Sequence, residues 1–98
     1  MLDAISSPRR REILRLVWDQ ELSAGEIAAG FEVSWSAISQ NLRVLRTAGL
    51  VTERKEANRR YYRADREAAG SLAAVLEDMW RDDLSRLQGV IGNRRRNE

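Results

Sequence analysis

The chain has 98 residues, 43% of them hydrophobic and 33% charged, with a formal net charge of +2; this is enough for one modest core and too little for two. It contains no cysteine and no histidine, which excludes disulfides, thiol redox chemistry, cysteine nucleophiles, histidine bases and the usual zinc ligands. No apolar run reaches the ~18 residues of a membrane span, and Met1 to Pro8 shows no basic-then-apolar secretory pattern, so a cytoplasmic domain with no membrane contact, metal or cofactor is expected.

The net charge conceals an uneven distribution. Residues 34–66 hold eight basic and three acidic side chains, whereas 1–33 and 67–90 are both net acidic. A positive middle third between acidic flanks points to a polyanion-binding surface more strongly than overall charge does.

Leu2 and Ile5 open the chain with a short apolar segment of one or two helical turns. Ser7-Pro8 is an N-cap followed by proline at the first helical position, starting a helix to about Asp19 whose inner face is Ile13, Leu14 and Val17. Arg9, Arg10 and Arg11 form either a solvated first turn or a phosphate contact. Ser23 and Glu26 then have the spacing of a capping box, with Leu22 placed to staple onto Ile27, so a second helix begins at Ala24 and ends near Ala29-Gly30.

Ser34 caps the next helix and Gly49 stops it. At about 100° per residue, Ile38, Leu42 and Leu45 form an apolar stripe, while Ser36, Gln40, Arg43 and Thr47 cluster opposite with Ser39 at their margin. That outward face carries no carboxylate. Hydroxyls, an amide and a guanidinium are the groups that read base edges and bind phosphate. A short capped helix, a turn of about four residues and a second helix with such a face describe a helix-turn-helix.

After Gly49 the period changes to that of strands. Leu50 to Lys55 and Arg59 to Arg63 form a hairpin around Glu56-Ala57-Asn58, with Asn58 expected in the left-handed conformation of a tight turn. Arg54, Lys55, Arg59, Arg60 and Arg63 make this hairpin strongly basic, and it reads as a wing that grips the DNA backbone or minor groove, with Arg54, Lys55, Asn58, Arg59 and Arg60 as the expected contacts. From Asp65 or Arg66 a long helix is expected to run to about Gln88. Its stripe of Leu72, Val75, Leu76, Met79, Trp80, Leu84 and Leu87 exceeds the needs of one small domain. Together with Leu2 and Ile5, this stripe without Val75 is the expected interface of a two-fold dimer. Glu77, Asp78, Asp82 and Asp83 read as a solvated, salt-bridged face rather than a catalytic site. Residues 91–98, with Arg94 to Arg96, read as a frayed tail.

Taken together, these stretches resemble the ArsR family of winged helix-turn-helix repressors. The resemblance rests on Ser7-Pro8-Arg9-Arg10-Arg11-Glu12-Ile13-Leu14, on Ser34 to Val51, on Arg59-Arg60-Tyr61-Tyr62, and on Ala24-Gly25-Glu26-Ile27-Ala28, the last similar to a metal-independent autorepressor branch. It implies a mostly helical fold with a small β-hairpin: a single domain over 1–98, with the helix-turn-helix at about 24–48, the wing at about 50–64 and a dimerisation helix at about 66–90. It also implies that Ser36, Ser39, Gln40 and Arg43 meet the major groove. Trp35, beside them, either packs against Val33 or touches a sugar or thymine methyl. Glu21-Leu22-Ser23-Ala24-Gly25 stands where arsenic-sensing members carry Glu-Leu-Cys-x-Cys, and the terminal helix lacks histidine, so the metal switch is not expected. The expected function is that of a homodimeric repressor on a pseudo-palindromic double-stranded DNA operator, not an enzyme, with any protein or small-molecule effector left open. The alternative is an interaction module that docks a regulatory protein.

Overall fold

The computed structural model describes residues 2–82. After a 3-10 turn at Leu2–Ile5, the elements are α1 (Pro8–Leu16), β1 (Leu22–Ser23), α2 (Ala24–Ala28), α3 (Trp35–Thr47), β2 (Val51–Glu56), β3 (Arg59–Ala64) and α4 (Arg66–Ala69). A last helix, α5, is described over residues 71–82.

Each helix start has a local chemical cause. Ser7, Ser23 and Ser34 are the N-caps of α1, α2 and α3, each accepting a backbone N–H from the third residue of its helix. At Ser23 the box is complete: Glu26 N–H donates to Ser23 Oγ at 3.1 Å and Ser23 N–H donates to Glu26 Oε1 at 2.8 Å. The end of α3 is equally defined. Gly49, at φ +80°, lets Gly49 N–H reach Arg46 C=O at 2.9 Å and Leu50 N–H reach Leu45 C=O at 3.0 Å. Those two bonds are the Schellman motif, and they satisfy carbonyls that the helix end would otherwise leave open.

The helices enclose one core. Ile13, Leu14 and Val17 of α1 and its C-terminal edge meet Ile27, the Ile38–Leu42–Leu45 stripe, Leu50, Val51, Tyr62 and Leu76. Most of these side chains are fully enclosed, each contributing about 1.5–3 kcal/mol by leaving water.

Three features differ from the sequence expectations. The hairpin gains a third strand: β1 pairs antiparallel with β3 through Leu22↔Tyr62 and Ser23↔Tyr61, giving the order β1-β3-β2. Two residues are too few for a periodic signal, and their pairing depends on the distant Tyr61-Tyr62. The wing turn consists of Ala57-Asn58 alone, and Ala57, not Asn58, takes the positive φ of 53°. A positive φ in a two-residue turn suits the twist of the strands it joins. Third, the expected single terminal helix is broken at Gly70, with φ 57° and ψ −128°. The break redirects the chain so that α5 lays Leu76 and Trp80 onto the core. Trp80 meets Trp18 edge to face at 5.0 Å, and Trp18 Nε1 donates to Glu77 Oε2 at 3.0 Å.

Those contacts revise the expected dimer face. Leu76 and Trp80 are 0% and 7% exposed within the single chain, so they serve the protomer's own core and not a partner. Ile5 is also packed against that core. Leu2, Val75 and Met79 are exposed, at 70%, 53% and 40%, and Leu72 is half-buried beside them. Leu84, Leu87 and the tail with Arg94 to Arg96 lie outside the described residues.

Candidate nucleic-acid interface

The surface of interest is built from α3 and the β2–β3 hairpin. Because the apolar stripe of α3 is held by the core, its opposite side is turned outward by helical geometry alone. Ser36, Ser39, Gln40 and Arg43 are all exposed there. Their side chains make no hydrogen bond or ion pair with another described residue, so their donors and acceptors remain available to an outside partner.

Trp35 opens the same helix at 58% exposure. The packing against Val33 considered from the sequence would have covered the ring, and an indole this exposed is not serving the core. It stands at one wall of an open groove of about 680 Å³, whose other walls are the start of α2 (Ala24, Gly25, Glu26) and the wing residues Asn58, Arg59 and Arg60.

Strand register separates the wing cations into two sets. β2 and β3 pair Glu53↔Tyr62, Arg54↔Tyr61, Lys55↔Arg60 and Glu56↔Arg59. Alternation therefore puts Glu53, Lys55, Arg60 and Tyr62 on one face and Arg54, Glu56, Arg59 and Tyr61 on the other. The first face is turned toward α3, where Ser39, Leu42, Arg43 and Arg46 line a cleft with Glu53, Arg60 and Tyr62. Lys55, Arg59 and Asn58 are exposed at the hairpin end, and their side chains have no bonded partner among the described residues.

Arg54 differs from the other wing cations in having bonded partners on several sides. Its guanidinium donates to Glu21 through Nε at 3.1 Å and Nη2 at 2.7 Å, and to Glu56 through Nη1 at 3.1 Å. It also lies 4.7 Å from the centre of the Tyr61 ring. These bonds hold the Glu21 carboxyl below its ordinary value and the Arg54 guanidinium above its own. A cation engaged on this many sides braces the wing against the segment before β1.

The arginines at the start of α1 are divided in a similar way. Arg10 donates to the carbonyls of Ala4 at 2.6 Å and Asp3 at 2.9 Å, and Arg11 to Ile5 C=O at 2.8 Å. Both fasten the N-terminal turn to α1, whereas Arg9 is exposed.

Sequence reasoning missed Arg46 and Glu53. Arg46 follows Arg43 by three residues and so lies on the flank of α3 next to the wing. Its Nη1 donates to Glu53 Oε2 at 3.0 Å. The helical wheel could have found the arginine, but the carboxylate was hidden because only strand register shows which way Glu53 faces. Among the described residues no three Asp or Glu side chains gather as a metal site would require, and no helix is long and apolar enough to cross a membrane.

The comparisons agree with this architecture. The family model described as bacterial regulatory protein, arsR family, matches residues 7–53. Transcriptional activator HlyU of Vibrio cholerae is 38% identical over 80 residues, covering 82% of this chain and 74% of that protein. A crystal structure described as a possible transcriptional regulator for arsenical resistance has a TM-score of 0.69 at 43% identity, covering 90% of this chain and 92% of that one. A solution structure of a homodimeric winged helix-turn-helix DNA-binding domain from Mycobacterium bovis has a TM-score of 0.70 at 31% identity, covering 82% of this chain and 74% of that one. With capped helices, wing and relatives in agreement, the chain belongs to the arsR family of bacterial regulatory proteins and is a transcriptional regulator built on a winged helix-turn-helix.

Proposed function

We propose that the chain works as a homodimer that binds double-stranded DNA sequence-specifically and represses transcription by occupying its operator. The observation that carries this is the outward face of α3: Ser36, Ser39, Gln40 and Arg43 are exposed and their side chains have no bonded partner among the described residues, and wing cations stand beside them. A solvated structural helix has no need of an acid-free face in a chain with 15 acidic residues. Arg43 and Gln40 supply base-edge contacts, and the shorter serines supply base or phosphate contacts. Lys55, Arg59 and Arg60 meet phosphates next to the groove.

One reading helix covers only a few base pairs, so a two-fold dimer on half-sites about 10 bp apart, or a multiple of that, supplies the needed length. The homodimeric relative supports that arrangement, and the exposed Leu2, Val75 and Met79 with the half-buried Leu72 are the apolar surface from which the dimer is built. Repression follows where the operator overlaps a promoter. Such a regulator works in the cytoplasm, and the residue chemistry favours control by a protein or a small molecule over control by a metal.

Titration of single variants against operator and random duplexes tests the assignment. Arg43→Ala weakens operator binding by about 1–3 kcal/mol and relaxes specificity, whereas Arg59→Ala weakens all sequences alike and lowers the salt slope by about 1. Equal effects of both variants on both duplexes would remove this division of roles. Absence of any complex even at low salt would favour a protein-docking module instead.

A further inference from the structure

The cleft between α3 and the wing contains a carboxylate where a DNA-binding surface would be expected to exclude one. Glu53 Oε2 accepts from Arg46 Nη1 at 3.0 Å and from the Tyr62 hydroxyl at 2.9 Å, and Arg60 Nη1 lies 3.8 Å away. The Glu53 side chain is only 19% exposed, against 47% for Arg46 and 56% for Arg60. The contacts come from three directions: the last turn of α3, the buried end of Tyr62 on β3, and the exposed edge of the wing.

An isolated surface ion pair at this position would contribute little. Two features set Glu53 apart. Both close donors converge on the same oxygen, and one of them, Tyr62, belongs to the core and is 7% exposed, so the carboxylate is fixed in place. The two arginines it faces both border the candidate interface: Arg46 lies on the flank of α3, and Arg60 lies beside the groove walled by Trp35. A carboxylate between two guanidiniums offers them the same kind of charged acceptor that a phosphate would.

Resting on the DNA-binding reading above, we infer that Glu53 is a positioning residue that sets the wing against the reading helix and competes with DNA phosphate for Arg46 and Arg60. On DNA of the wrong sequence the backbone is poorly aligned and the arginines stay with Glu53. On the operator, base contacts by α3 bring the phosphates close enough to take them. The carboxylate thereby lowers non-specific affinity more than specific affinity. The ratio of the two governs a regulator's occupancy among competing genomic sites.

The test uses the full chain, a random-sequence duplex, and a duplex selected by the wild-type chain from a randomised pool, each titrated over a range of salt. Glu53→Gln keeps an acceptor for Tyr62 but removes the charge. It is expected to tighten random-duplex binding by about tenfold at low salt, the scale of one additional charged hydrogen bond, and to steepen the salt slope by about 0.9 for each arginine released. The selected duplex gains less, so the specificity ratio falls. Adding Arg46→Ala removes the share of about 0.9 that belongs to that arginine, leaving the share of Arg60.

An unchanged slope, or equal weakening on both duplexes, would mean that Glu53 only supports the fold and would overturn the proposal. Should Glu53→Gln fail to fold, Arg46→Ala alone decides. It leaves the random-duplex slope unchanged if Glu53 withholds that arginine, and lowers it by about 0.9 if it does not. Failure of the wild-type chain to select any duplex, together with no random-duplex binding at low salt, overturns the DNA reading itself.

Discussion

Ser23 and Glu26 carry more of the structure than their size suggests, because they start α2 and, with it, the angle at which α3 is presented. Ser23→Ala is expected to cost about 1 kcal/mol, the usual loss for an N-cap, measured by denaturant unfolding. The same box makes stability depend on pH. The Ser23 backbone and hydroxyl hold Glu26 below its ordinary value of 4.5, and Arg54 does the same for Glu21. A carboxylate whose folded pKa is depressed stabilises the fold above its unfolded pKa, and that contribution is lost as pH falls through the lower folded value. Melting temperature is therefore expected to fall below pH 4.5, and Glu26→Gln should reduce that dependence. At the alkaline end, burial and then Glu53 raise Tyr62 above its ordinary value of 10.0. The sign there is a loss of stability as pH rises past 10, which Tyr62→Phe should flatten. Arg54→Ala is expected to leave the DNA salt slope unchanged, in contrast to Arg59→Ala, because the Arg54 guanidinium is already engaged by Glu21 and Glu56.

Among the elements, the three helix starts were legible because a cap is a local event: a serine oxygen and a backbone N–H three residues on need nothing else from the fold. The stop of α3 was legible for the same reason. Gly49 has no heavy atom within 4 Å of an added Cβ, so Gly49→Ala is penalised by its φ of +80° alone, expected at about 1–2 kcal/mol. The turn of the wing was misread because either of two residues could supply a positive φ, and the choice depends on strand register. Ala57 at φ 53° carries a Cβ that this conformation disfavours. Ala57→Gly is expected to stabilise the chain by about 0.5–1 kcal/mol, part of the strain relief being offset by the freer unfolded state. The break at Gly70 escaped notice because apolar spacing on either side of it continues as though one helix were present. Only the φ of 57° shows the change of direction.

For the whole molecule, the break at Gly70 determines which apolar residues remain for a partner. Leu76 and Trp80 close the core against Trp18, leaving Leu2, Val75 and Met79 toward solvent and Leu72 half-buried. Met79→Glu is accordingly expected to shift sedimentation from dimer to monomer while leaving the unfolding transition of the protomer nearly intact. Trp80→Ala, by contrast, should cost about 3–5 kcal/mol of protomer stability. A DNA affinity that drops with Met79→Glu, and recovers when protein concentration is raised, would tie the dimer to operator binding.

Residue type and spacing carry what depends on neighbours within a turn or two: the caps, the apolar stripe of α3, its acid-free opposite face, the basic wing and the lack of soft metal ligands. They were sufficient for the family and for the helix-turn-helix. How the charges are paired depends on the folded arrangement. It tied Arg54 to Glu21 and Glu56, gave Arg46 to Glu53, left Trp35 exposed and turned Leu76 and Trp80 inward. Each outcome depends on a contact between residues far apart in the chain, or on a change of direction at a single glycine, and composition and periodicity carry no record of either.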